Sequence, residues 1–267
     1  MSGDLRGDVT LDLSFSGETE EDPLDPTRVV RVEGTTRVTG TATSRYGVFE
    51  IDLQLRPHGK AGSLAVSLDS FRRYFAPSGA AWPFERQALV KLRPIAGDAD
   101  LGRDLVALRD EFVYTGEPFD VAAMRAMRER QLRHLVEAGQ VNAKYSKGGL
   151  VDLEYVVQGL QIAHGRRHPA VRVTNTALAI DALASVGAIS LENAARLREA
   201  LLFLEQLINA LRVVRGNSKD LAVPPVDTEE FAFLARRFGY GDDPERLEVA
   251  MNEFMGTVQM LEARLLG

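Results

Sequence analysis

Hydrophobic and polar positions change their spacing along this chain near residue 57. Before it, apolar and β-branched residues recur at the period of a strand. Residues 9–15 alternate, 28–32 and 35–43 are β-branched runs divided by Glu33-Gly34, and Val48, Ile51, Leu53 and Leu55 mark a further strand over 48–55. This pattern predicts a small, mostly antiparallel sheet. The acidic stretch over 17–27, which contains Pro23 and Pro26, reads as a mobile loop between strands.

From Ser67 onward the spacing is helical. It predicts helices over 67–75, 81–92, 100–112, 118–138, 150–164, 174–186, 191–215, 228–238 and 244–265. Most have a readable start: Ser67, Pro118, Thr174, Ser190, Asp227 with Glu230 as a capping box, and Asp243 before Pro244. Leu197, Leu201, Leu204, Ile208 and Leu211 follow a 4-3-4-3 spacing, the stripe of a helix packed in a bundle. The expected fold class is therefore α+β, a small sheet at the N-terminus followed by an all-α helical bundle. The expected domains are 1–115 and 116–267.

Composition narrows the function classes. With 45% hydrophobic and 26% charged residues over 267 positions, the chain has enough apolar material for a sizeable core. A net charge of −6 provides no global basic field, so no nucleic-acid partner is expected. The absence of cysteine removes disulfides and thiolate metal sites and fits a cytoplasmic location. His58, His134, His164 and His168 are not paired at zinc-ligand spacing on one helix face. No apolar run approaches membrane-spanning length, and the N-terminal residues lack the basic and then apolar order of a secretory signal; no membrane partner is expected.

Two segments carry candidate chemistry. In Phe49-Glu50-Ile51-Asp52-Leu53-Gln54-Leu55-Arg56-Pro57, Asp52 sits among apolar strand residues, where a carboxylate must be paired, capped or metal-bound. Glu50 shares its face by strand alternation, and Arg56 follows at the strand end, where a guanidinium holds either a phosphate or a carboxylate. In 142–158, Lys144 precedes Gly148-Gly149 at the start of a helix. Glycine amides and the helix dipole favour an anion there, and helix capping with a solvated lysine is the alternative. Asp152 and Glu154 lie in the first turns of that helix, two positions apart, too splayed to hold one metal together; Glu154 is expected in a salt bridge or interface hydrogen bond. Trp82 is expected to pack in the core.

These residues resemble the glutamine synthetase adenylyltransferase family. Gly148-Gly149-Leu150-Val151-Asp152-Leu153-Glu154-Tyr155 is similar to its signature helix, Ile51-Asp52-Leu53-Gln54-Leu55-Arg56-Pro57 to its third-aspartate motif, and Trp82 to Gln87 to its Trp-x-x-x-Arg-Gln helix. The resemblance implies a nucleotidyltransferase-like sheet within 1–115 that uses ATP and Mg2+ to adenylylate a tyrosine of glutamine synthetase, in a protein that is N-terminally truncated or diverged. It implies Asp12 and Asp52 as catalytic residues, Asp12, Asp52 and Glu50 as metal ligands, and Arg56, Lys144, Gly148 and Gly149 as nucleotide-binding residues. Thr10 stands where the family has its first aspartate, and no glycine-serine phosphate loop is recognisable in residues 1–9. Three functions therefore stay open: adenylyl transfer, its reverse by phosphorolytic removal of AMP, or a catalytically silent interaction module that binds glutamine synthetase or the PII signal protein.

Overall fold

The computed structural model describes residues 7–22, 25–44, 47–50, 56–63, 65–216 and 220–267. Backbone contacts divide the chain into two units, Met1–Ala81 and Trp82–Gly267.

In the first unit, β1 (Gly7–Asp22), β2 (Asp25–Ser44) and β3 (Gly47–Glu50) form one antiparallel sheet in the order β1-β2-β3. Pairing of β1 with β2 runs from Gly7 opposite Ser44 to Asp22 opposite Asp25. The acidic stretch expected as a loop therefore lies largely in paired strand, and Gly34, expected to divide two strands, pairs with Gly17 inside one. Helix α1 (Leu68–Phe75) follows, capped as expected by Ser67, whose hydroxyl accepts from the Ser70 amide. Phe71 and Tyr74 are its buried residues, and the His58 ring meets Tyr74 edge-on.

The expected α+β class, with its nucleotidyltransferase-like sheet, is corrected by these elements. The larger unit is all-α: the described residues hold nine α-helices, eight of them in Trp82–Gly267, where the strand-type contact is a single bridge between Asn142 and Ala222. The three strands form a ribbon. A nucleotidyltransferase-like sheet needs helices laid over its face, whereas the connections at 23–24 and 45–46 are too short to hold one.

The second unit is built from α2 (Pro83–Ala88), α3 (Ala99–Val113), α4 (Val121–Leu135), α5 (Leu150–Gly165), α6 (Thr176–Ser185), α7 (Leu191–Arg215), α8 (Glu229–Arg237) and α9 (Pro244–Leu265). Side-chain caps set most starts. Asp98, Asp120, Asn175, Ser190 and Thr228 each accept a hydrogen bond from an amide two or three residues on. Asn175 and Thr228 take the places expected for Thr174 and Asp227, and α4 begins after Asp120 instead of at Pro118. The helix expected over 81–92 stops at Ala88 and tightens into a 3-10 turn, Leu89–Lys91.

Helix α7 forms the centre and packs against α5, α6, α8 and α9. All five residues of its predicted stripe are buried, with Leu197, Leu204 and Leu211 fully so. Each such side chain contributes roughly 1.5–3 kcal/mol. Phe203 of α7 stacks on Phe254 of α9 with ring centroids 4.5 Å apart. Helix α5 buries Val151, Leu153, Val156, Val157 and Leu160, so its N-terminal loop is held against the core. Trp82 is 66% exposed, which corrects its expected core role; it precedes α2, its amide donates to Glu85, and its ring stacks on Phe84.

Candidate functional site

The loop entering α5 is a close-fitted backbone knot. Asn142 Oδ1 accepts from the amides of Lys144 and Tyr145, each at 3.0 Å, and the Ser146 hydroxyl accepts from the Asn142 amide at 2.8 Å. The Ala143 amide donates to Leu221 O at 3.0 Å, which ties the loop to the segment after α7. Gly148 has φ +76°, and a Cβ there would stand 2.1 Å from Met255 O of α9, so only glycine permits this approach.

Asp152 locks the knot from inside the helix. Its Oδ2 accepts from the Gly148 amide at 2.7 Å, and its Oδ1 accepts from Arg128 Nε at 2.5 Å. Arg128, on α4, also donates to Tyr145 O and to Gln131, and Gln131 donates to the Tyr155 hydroxyl. Burial pushes the Tyr155 phenol above its ordinary pKa, against the hydrogen bond from Gln131. A cleft of about 340 Å³ opens here between α4, α5 and α9, and its charged residues form the pairs Arg125 with Glu262, Arg128 with Asp152 and Lys147 with Glu129.

Glu154 forms the expected salt bridge. Its Oε1 lies 3.0 Å from Lys91 Nζ, which also donates to Thr176 Oγ1 at 2.6 Å. One turn further along α5, the buried Gln158 accepts from the buried Gln87. Glu154 and Gln158 thus fasten α2 and its following turn to α5.

The anion-binding amides expected at Gly148 and Gly149 are engaged within the chain, with Asp152 and with Ser146 O. Lys144 is half-buried, its ammonium 5.0 Å over the Tyr145 ring and without an ion pair among the described residues. Arg56 lies in the first unit, where its Nε donates to Gly62 O at 3.0 Å. Asp52 lies outside the described residues. Asp12 is a backbone position of β1 opposite Thr39, and Glu50 ends β3 opposite Thr41, which also faces Thr10. Among the described residues no group of three His, Asp or Glu side chains gathers to hold a metal. No helix among them is long and apolar enough to cross a membrane.

Comparison with known proteins shows the lineage of this junction. Residues 34–107 match the family described as glutamate-ammonia ligase adenylyltransferase, and residues 122–266, more than half of the chain, match the family described as GlnD PII-uridylyltransferase. The chain belongs to the glutamine synthetase adenylyltransferase family. It is 36% identical over 197 residues to a bifunctional glutamine synthetase adenylyltransferase/adenylyl-removing enzyme of Streptomyces avermitilis, covering 72% of this chain and 19% of that protein. The enzyme of the same name from Corynebacterium glutamicum is 35% identical over 201 residues, 74% of this chain and 19% of that protein. That of Mycobacterium bovis is 38% identical over 192 residues, 70% and 19%. The chain thus spans about a fifth of the length of these adenylyltransferases.

The ion-pair partners of Asp152 and Glu154 that the sequence concealed are Arg128 and Lys91. Met124, Arg128 and Leu132 recur every four residues, so an arginine at an apolar-stripe position was the available signal for a buried ion pair. Lys91 had no comparable signal, because Glu154 is 63 positions away.

Proposed function

We propose that this chain acts in the regulation of glutamine synthetase by adenylyl transfer, with ATP as donor and a tyrosine of glutamine synthetase as acceptor. The observation that supports it best is the intact junction over 142–158, built as one rigid node by Asp152, Arg128 and Gly148, in a chain whose relatives bear the adenylyltransferase name. The two family matches end at 107 and resume at 122, which supports a functional division near residue 115. The structural division at Ala81 differs because α2 and α3 pack with the bundle.

In this reading Asp12 and Asp52 are the catalytic carboxylates, and together with Glu50 they hold magnesium. The helical unit gathers no metal donor set of its own among the described residues. When bound, the cation would neutralise charge on the phosphates. Arg56 is the nucleotide-binding cation of the first unit in this reading; within the second unit the same role falls to Lys144, in a loop whose close fit Gly148 and Gly149 permit. Titration calorimetry with ATP and magnesium tests the reading: heat of binding that disappears in Asp52→Asn supports it, and no heat at millimolar nucleotide removes it.

A second reading, a catalytically silent module that binds glutamine synthetase or PII, is favoured by one specific feature. Thr10 replaces an acidic ligand in β1, and magnesium surrenders water reluctantly when anionic ligands are lost. Capture of glutamine synthetase by a chain that binds no ATP would select it.

A further inference from the structure

We propose that Arg86 and Arg166 form an oxyanion site on the helical unit, one that receives the phosphate groups of a nucleotide. The choice of nucleotide rests on the adenylyl-transfer reading; the oxyanion chemistry does not.

The two guanidinium groups come from α2 and from the residue that follows α5, and converge on the turn between α3 and α4. Arg86 Nε donates to Val113 O at 2.7 Å and its Nη2 to Thr115 Oγ1 at 2.8 Å, while Arg166 Nη1 donates to the Thr115 carbonyl. Gly116 has φ +88°, and a Cβ there would lie 2.5 Å from Arg166 Cδ, so the arginine lies directly across that glycine. These bonds fix the turn and leave Arg86 Nη1 and Arg166 Nε and Nη2 without an acceptor among the described residues. Thr115 Oγ1 accepts from Arg86 and from the Glu117 amide, so its own proton is available to a phosphate oxygen.

Neither arginine forms a salt bridge among the described residues, whereas Arg109, Arg128, Arg172 and Arg215 each pair with a carboxylate. Burial pulls the pKa of Arg86 below its usual value despite the opposing charge of Glu117 on the same turn. Glu117 acts on Arg86 without forming a salt bridge to it, and a half-buried guanidinium that no carboxylate contacts directly is an unfavourable arrangement that an arriving anion relieves. The adjoining segment leans positive: residues 155–180 contain no Asp or Glu and carry Arg166, Arg167 and Arg172, of which Arg172 is paired with Asp110, while Glu117 is the acid on the turn itself. The dipole at the C-terminus of α5 accounts for cations at 166 and 167, but not for a guanidinium brought in from α2. The open Nη1 of Arg86, the open Nε and Nη2 of Arg166 and the Thr115 hydroxyl together supply N–H and O–H donors of the kind that the tetrahedral oxygens of a phosphate accept.

The test is calorimetric titration of the full chain with inorganic pyrophosphate, and separately with ATP. Pyrophosphate is expected to bind with a Kd on the order of millimolar. Binding is expected to weaken about tenfold in Arg166→Gln, whose side chain is exposed, and in Arg86→Lys, which keeps the charge and loses the fork. Melting curves establish that both variants are folded. Absence of pyrophosphate binding in the wild type, or equal binding in wild type and both variants, overturns the site. Pyrophosphate binding that depends on Arg166 in a protein that transfers no AMP keeps the site and rejects the adenylyl-transfer reading. ATP binding that depends on Asp52 and not on Arg166 does the reverse.

Discussion

Asp152 and Arg128, 24 positions apart, meet through a 2.5 Å hydrogen bond at side chains only 17% and 9% exposed, and the other oxygen of Asp152 holds the Gly148 amide. One carboxylate therefore joins α4 to the loop that enters α5. The acidic position of the signature helix is accounted for by this geometry without a ligand.

Replacing Asp152 by Asn leaves the Arg128 charge buried and unpaired, so the variant is expected to lose about 3–5 kcal/mol of stability. Urea denaturation measures it. Adding Arg128→Met should recover part of the loss, since the stranded charge is then gone; a double variant as unstable as the sum of the singles would contradict the pairing.

Gly148 and Gly187 share positive φ, +76° and +72°, but differ in surroundings. A Cβ at 187 meets nothing within 4 Å, whereas at 148 it meets Met255 O at 2.1 Å. Gly187→Ala is expected to cost about 1 kcal/mol from backbone conformation alone. Gly148→Ala should cost more than about 3 kcal/mol, because α9 must also move. Equal melting temperatures for the two variants would refute the close approach.

Tyr114 is 4% exposed and its hydroxyl has no partner among the described residues. Burial, opposed mainly by Arg109, pushes its phenol from 10.0 up to about 12. The folded pKa exceeds the unfolded one, so this contribution to stability is complete below about pH 10 and is lost as pH climbs toward about 12. Tyr114→Phe should change stability by about 1 kcal/mol or less at neutral pH, since no hydrogen bond is broken. It should also lose less stability between pH 10 and 12 than the wild type. Urea midpoints of both proteins across that window provide the check.

How much of this was legible depended on distance along the chain. Helix starts at Ser67, Ser190 and Pro244 and the α7 stripe are short-range patterns, and each is where the sequence placed it. Asn175 and Thr228 displaced neighbouring capping candidates by a single residue, because several adjacent side chains can cap and only tertiary packing chooses among them. The β-branched runs over 28–43 identified strand, but alternation does not reveal whether a sheet is covered by helices, and the expected nucleotidyltransferase-like sheet proved to be a ribbon. Trp82, expected in the core as part of a family-like packing helix, stands just before α2 and is exposed. At the junction, the Gly148-Gly149 pair marked the right loop, yet its amides belong to Asp152 and Ser146, contacts set by local loop geometry that composition does not encode.

The most direct measurement is transfer of labelled AMP from ATP onto purified glutamine synthetase by the folded chain in the presence of magnesium. The expected result is label on a tyrosine of glutamine synthetase, abolished by Asp52→Asn and retained in Gly187→Ala. A chain with a normal melting transition that transfers no label at any nucleotide concentration would contradict adenylyl transfer.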